Sequence, residues 1–112
     1  MSRVVLVLTT VPAGGLGEEL ATVLVRERLA ACVNVYPPMT SMYRWKGNVE
    51  RDTECQLVIK TAADRVAALQ QRIKELHSYE LPELVVVAVA DASEAYLNWV
   101  VAETRSADPS RP

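Results

Sequence analysis

Residues 40–61 read TSMYRWKGNVERDTECQLVIKT, and in this segment two strand-like runs flank a single turn. The second run alternates apolar side chains with mostly polar ones, a period typical of a strand with two different faces. Gly47 and Asn48 separate the runs, and Gly at the first central position of a two-residue turn favours type II′. The sequence therefore predicts a long β-hairpin arm.

The expected register of this hairpin places Cys55 opposite Thr40 rather than Cys32. The two cysteines are then interpreted as small buried hydrophobic residues, with neither a disulfide nor a cysteine metal clip between them. The same register puts polar and aromatic side chains on one face: Ser41, Tyr43, Trp45, Glu50, Asp52 and Glu54, followed by Gln56 and Lys60. Such a face suits a subunit interface or an intersubunit pocket. A solvated edge that carries two aromatic rings is the alternative.

The rest of the chain supplies further strands at residues 3–10, 32–36 and 84–90. Helices are predicted over residues 16–29, from an N-cap at Thr61 to about His77, and after a Ser93 N-cap, the last with Tyr96, Leu97, Val100 and Val101 facing inward. The order β-α-β-β-α-β-α indicates an α+β fold, a ferredoxin-like split β-α-β sandwich with an added C-terminal helix. One domain over residues 1–105 and a disordered tail at 106–112 are expected.

The first and last strands are apolar on both alternate faces, which predicts that both faces of the sheet are covered. Right-handed crossovers would place the first two helices on one face. A single C-terminal helix is too small to cover the other face, so the sequence predicts a homo-oligomer in which sheets or hairpin arms pack between subunits.

The composition excludes several classes of function. Twelve Lys and Arg against fourteen Asp and Glu leave a net charge of −2, and there is no Phe, so a nucleic-acid-binding surface is not expected. The apolar runs are too short for a membrane span or a signal peptide. The expected compartment is the cytoplasm.

A glycine-rich loop, GGLG at residues 14–17, stands between a strand and a helix. Helix N-termini bind phosphate groups, but no Gly-Lys-Ser/Thr follows, and Glu18 and Glu19 place negative charge where an anion would bind. A phosphate site is therefore not predicted.

The remaining candidates lie close together near the end of the second helix. His77, the single histidine, is either a metal ligand or a cap that stabilises the helix C-terminus. Glu80 and Glu83 flank Pro82 as paired carboxylates that suit either acid–base chemistry or simple solvation of a loop. Because no nucleophile or activated pair accompanies them, no enzymatic activity is expected.

Several segments together resemble the CutA family of divalent-cation tolerance proteins over about residues 4–101. They are ERLAACVN at residues 27–34, SMYRWKG at 41–47, VIKT at 58–61, HSYELPE at 77–83 and YLNW at 96–99. The resemblance implies a ferredoxin-like subunit in a tight trimer with PII-like architecture and clefts between subunits.

The resemblance also implies that the protein binds copper or another divalent cation and no organic cofactor. In the family, metal binding is associated with a cysteine on the first strand and with a histidine-proline segment. The first position corresponds here to Thr9, and Ser78 replaces the proline of the second. The resemblance leaves His77 and Glu83 as metal-ligand candidates. It implies an intersubunit cleft lined by Tyr43, Trp45, Lys60, Tyr79 and Glu80.

Two functional hypotheses follow. The first is a cytoplasmic, non-enzymatic homotrimer that binds divalent metal, copper first, and contributes to metal-ion tolerance. The second is a trimeric PII-like signalling or scaffold module whose clefts bind a small anionic metabolite or the tail of a partner protein.

Overall fold

The structure, a computed structural model, describes residues 3–105. The predicted disordered tail at residues 106–112 lies outside this range. The described elements follow the chain as β1 (Val4–Pro12), α1 (Leu16–Arg26), β2 (Cys32–Val35), β3 (Met39–Trp45), β4 (Asn48–Ala62), a 3₁₀ turn (Ala63–Arg65), α2 (Val66–Leu76), β5 (Val85–Ala88) and α3 (Glu94–Glu103). An antiparallel sheet with helices confirms the expected mixture of α and β structure.

The long strand β4 organises the sheet, whose order is β2-β4-β1-β5 with β3 also paired to β4. Strands β2 and β3 pair with successive parts of β4, and the register changes between them. The Tyr36 N–H donates to the Gln56 carbonyl, whereas Met39 already lies opposite Glu54. Residues 37 and 38, both proline, therefore face one residue of β4, which is a bulge at the sheet edge where proline is tolerated.

The hydrophobic core lies on one face of the sheet, under α1 and α2. Alternate residues of β1 and β4 point into it, and the helices contribute leucines and an isoleucine. Its most buried members are Val7, Val11, Leu20, Leu24, Leu57, Ile59, Leu69 and Ile73. This arrangement agrees with the expectation that the first two helices share a face.

The hairpin turn differs from the prediction. Trp45 pairs with Asn48, and the loop residues Lys46 and Gly47 have φ values of 49° and 85°. Positive φ at both central residues defines a type I′ turn, which fits the twist of the two strands better. The predicted type II′ turn at Gly47-Asn48 and the pairing of Cys55 with Thr40 are therefore wrong by a shift of two positions. Such a shift preserves which residues share a face.

Two helix ends also differ from the prediction. Helix α1 ends three residues before Leu29 because Arg28 adopts a φ of 59°, while the Leu29 N–H donates back to the Leu24 carbonyl. This is a Schellman-type end. Thr61 is not an N-cap, since it still belongs to β4 and its hydroxyl donates to the Leu29 carbonyl at 2.7 Å.

Helix α3 contacts β1 and β4. The predicted Ser93 cap is confirmed, since the Ser93 Oγ accepts from the Tyr96 N–H at 3.3 Å. Val100 is buried as expected, but Tyr96 is exposed and contacts the Trp99 ring in a tilted arrangement instead of facing inward. None of the helices in residues 3–105 has both the length and the apolar character to cross a lipid bilayer.

Candidate functional site

A groove lies between the hairpin arm and the segment 77–83, which folds back over it. Its volume is about 840 Å³, within the range usual for small-molecule sites. We call it the hairpin groove. It is lined by Thr10, Met39, Ser41, Tyr43, Arg44, Trp45, Glu54, Gln56, Ser78, Tyr79, Glu80, Leu81, Pro82 and Glu83.

His77 anchors the segment 77–83 rather than lining the groove. The Tyr79 N–H donates to its Nδ1 at 3.1 Å, so the ring proton resides on Nε2. Nε2 in turn lies 2.7 Å from the Thr10 carbonyl oxygen and donates to it. Both ring nitrogens of the neutral imidazole are therefore used by backbone hydrogen bonds.

Tyr79 joins the same segment to the hairpin. Its hydroxyl donates to Glu54 Oε2 at 2.6 Å, and its ring centroid lies 4.7 Å from that of His77. Burial and then the hydrogen bond to the Glu54 carboxylate raise the pKa of the Tyr79 phenol well above its usual value. Tyr79 therefore remains a neutral hydrogen-bond donor, and it holds the buried Glu54 carboxylate in place.

Gln56 connects the floor of the groove with Glu83. Its Nε2 donates to the Thr9 carbonyl at 2.8 Å and to Glu83 Oε2 at 3.1 Å. An amide nitrogen carries two hydrogens, so these two acceptors orient the side chain. Glu83 is thereby held just before β5, and one of its carboxylate oxygens accepts the hydrogen bond from Gln56.

The tip of the arm carries exposed charges and rings. The Lys46 ammonium nitrogen lies 5.5 Å from the centroid of the Trp45 ring and 3.8 Å from Glu80 Oε2. Nearby, the Tyr43 hydroxyl donates to Asp52, and this hydrogen bond raises the pKa of Tyr43 to about 12.

The structure brings together most of the site residues expected from the sequence. Glu83 and the cleft candidates Tyr43, Trp45, Tyr79 and Glu80 all line the hairpin groove. Lys60 does not, because it pairs with Leu6 and Cys32 further along the sheet. His77 lies behind the groove wall.

Glu54 and Gln56 are two site residues that strand periodicity places on the groove face but to which it assigns no role. Glu54 is only 6% exposed, and both side chains contact the segment 77–83. The two-residue period identified the face. Nothing in the local sequence indicated that a segment more than twenty positions away would cover it.

The side chains do not assemble a metal centre within one chain. Across residues 3–105, no group of three or more His, Cys, Asp and Glu side chains is arranged to hold an ion. Thr9 is fully buried and, by strand alternation, lies on the sheet face opposite Gln56 and the groove. Cys32 and Cys55 are free thiols, neither of which lines the groove.

Comparison with known proteins identifies the family. The sequence profile described as "CutA1 divalent ion tolerance protein" matches residues 5–103. The chain belongs to the CutA1 family. This confirms the resemblance found in the sequence, over nearly the same residues.

Individual CutA relatives agree with this assignment. The chain is 45% identical over 94 residues to the divalent-cation tolerance protein CutA of Thermus thermophilus, and this alignment covers 84% of this chain and 91% of that protein. It is 37% identical over 102 residues to Protein CutA, chloroplastic, of Arabidopsis thaliana, covering 91% of this chain but only 56% of that one. The crystal structure of CutA from Xylella fastidiosa matches with a TM-score of 0.89 at 43% identity, covering 93% of this chain and 100% of that one.

Proposed function

We propose that this chain is a cytoplasmic, non-enzymatic homotrimer that binds copper or another divalent cation and thereby contributes to divalent-cation tolerance. Its membership in the CutA1 divalent ion tolerance family carries this proposal. We assign the subunit to the ferredoxin-like class with PII-like assembly, which is consistent with the sheet order β2-β4-β1-β5.

Exposed apolar surface supports the assembly. Val85, Val86 and Val87 on the edge strand β5 are each at least 40% exposed, and Met42 and Val49 on the arm are exposed by more than 60%. Short apolar edge strands and apolar arms are usually covered by a partner. A second and third copy of the chain would bury them.

We place the metal at His77 and Glu83, with the remaining ligands supplied by a neighbouring subunit. A single chain lacks a three-ligand group in the described range, and His77 must release one of its two backbone hydrogen bonds to coordinate an ion. Nitrogen and oxygen donors without a thiolate favour copper(II) or zinc over copper(I).

Copper uptake by matched variants tests the ligand assignment. Equilibrium dialysis should give stoichiometric copper binding by the wild type and loss of it in Glu83→Gln and His77→Ala, while Glu103→Gln on α3 binds normally. Because His77→Ala also removes two backbone contacts, circular dichroism should accompany it. Unchanged binding by both ligand variants would overturn the assignment.

The hairpin groove favours a second candidate, a signalling or scaffold module that binds a small ligand or a partner's tail. Its volume and aromatic walls suit such a ligand. Its carboxylates, Glu54, Glu80 and Glu83, outnumber its single arginine, Arg44, so the anionic metabolite expected from the sequence fits the site poorly.

A further inference from the structure

Glu54 presents a buried carboxyl group with no cationic partner in residues 3–105. The side chain is 6% exposed, and its described hydrogen bonding consists of the bond that Tyr79 donates to Oε2. No ion pair of the described range involves it. Burying a carboxylate costs free energy unless the group is paired. Glu54 lines the groove, so a cation bound there would offset this cost.

The walls of the groove select the kind of cation. Tyr43, Trp45 and Tyr79 present aromatic rings, whose faces attract organic cations. Aromatic ring faces do not coordinate a metal ion, and Glu54 is not one of the two residues, His77 and Glu83, to which we assign the metal. The combination of rings with carboxylates that accept N–H hydrogen bonds fits an organic ammonium group better.

The chain itself shows how an ammonium group contacts this wall. Lys46 places its ammonium nitrogen 5.5 Å from the Trp45 ring centroid and 3.8 Å from Glu80 Oε2. Its side chain is 70% exposed, so its stem and charge can leave this position at little cost.

We propose that the hairpin groove binds a primary alkylammonium group, with Glu54 as its buried counter-ion, Trp45 and Glu80 at its entrance, and Lys46 as an internal competitor. The inference rests on the second candidate function and names its ligand class. The ammonium group belongs either to a free amine or to a lysine side chain of another protein.

Direct titration tests the proposal. Emission of Trp45 is followed in a Trp99→Phe background, with EDTA present so that metal binding plays no part. The probes are 1,4-diaminobutane, Nα-acetyl-lysine methylamide, butanol and butyrate. We expect saturable changes with one or both ammonium compounds and none with butanol or butyrate. Binding of the diamine alone identifies a free amine, and tighter binding of the lysine derivative identifies a side chain.

Three variants separate the site from general electrostatics. Glu54→Gln, which keeps an acceptor for Tyr79, should weaken binding about tenfold, or 1.4 kcal/mol. Lys46→Met should tighten it about threefold through the freed ring face. Arg51→Met removes the same charge from the opposite face of the arm and should tighten it less.

The proposal is overturned if neither ammonium compound saturates the protein or its Lys46→Met variant, or if folded Glu54→Gln binds as the wild type does. Equal tightening in the Lys46→Met and Arg51→Met variants would also overturn it, because it would show only a response to net charge. Copper binding measured on the same samples shows whether the metal proposal survives such a failure.

Discussion

The contact between Tyr79 and Glu54 holds the segment 77–83 against the hairpin. Removing the hydroxyl in Tyr79→Phe leaves a buried carboxylate without its described hydrogen bond, so we expect a loss of about 2 kcal/mol in the free energy of unfolding. Denaturant unfolding at one fixed protein concentration measures it. Tyr36→Phe, at an exposed tyrosine, is the control, and equal small losses in both variants would contradict the role of Tyr79.

Two buried threonines form a natural matched pair. Thr9 and Thr61 are both fully buried, but the Thr9 hydroxyl has no hydrogen-bond partner, whereas the Thr61 hydroxyl donates to the Leu29 carbonyl. Thr9→Val should therefore stabilise the chain by about 1 kcal/mol, and Thr61→Val should destabilise it by about the same amount. Thermal unfolding of the two variants checks the opposite signs, and a loss of stability in Thr9→Val would contradict the account.

The hairpin turn is the element in which one residue matters most. Gly47 has a φ of 85°, and a side chain there costs about 1–2 kcal/mol. Gly15→Ala is the control, since Gly15 has a φ of −85° and an added Cβ would meet only a Glu19 carboxylate oxygen, at 4.0 Å. We expect Gly47→Ala to lower stability and Gly15→Ala to leave it nearly unchanged. Equal effects would show that the type I′ geometry is not required.

The end of α3 is tied to the 3₁₀ turn by Arg105, whose guanidinium donates to both oxygens of Asp64 at 2.6 and 2.7 Å. This pairing lowers the pKa of Asp64 below its ordinary 3.8. Stability from a lowered pKa is present above the unfolded value and lost as the pH falls through the folded value. Asp64→Asn should therefore cost about 0.5 kcal/mol near neutrality, since the pair is exposed, and nothing in strong acid. A difference from the wild type that is independent of pH would contradict this.

At the scale of elements, the periodicity of the sequence predicted the strands, the sharing of faces and the Ser93 cap. It misplaced the turn because Gly47 and Asn48 suit both type I′ and type II′ geometry, and the neighbouring Lys46 accepts a positive φ of its own. It extended α1 to Leu29 because Leu29 continues the apolar pattern. The left-handed Arg28 that ends the helix carries no sequence signal, since glycine is the residue usual there.

At the scale of the whole fold, the described residues 3–105 form an elongated body of 47 × 28 × 23 Å, with apolar side chains exposed on the edge strand and the arm. The sequence anticipated an oligomer from its two-faced strands, and the exposed valines of β5 are consistent with that expectation. The groove itself was only partly predictable. Its aromatic and acidic face follows from strand alternation, but its cover depends on long-range contacts of Gln56 and Glu54 with the segment 77–83.

Assembly through the arm makes a prediction of its own. Met42→Asp places a charge on the exposed apolar face of the arm where packing between subunits is proposed, so the trimer should dissociate or fail to form. Size-exclusion chromatography with light scattering measures the mass. Lys74→Asp, at an exposed position of α2, is the control and should remain assembled. An intact trimer from Met42→Asp would refute this placement of the interface.

The proposed function requires that this CutA1-family chain form a trimer and bind divalent metal. Native mass spectrometry of the tag-free protein, titrated with copper(II) and with zinc(II) as the comparison, measures both properties in one experiment. We expect a trimer that binds copper in fixed, saturable steps and zinc less readily. A monomer, or a trimer that acquires metal only without fixed stoichiometry, would contradict it.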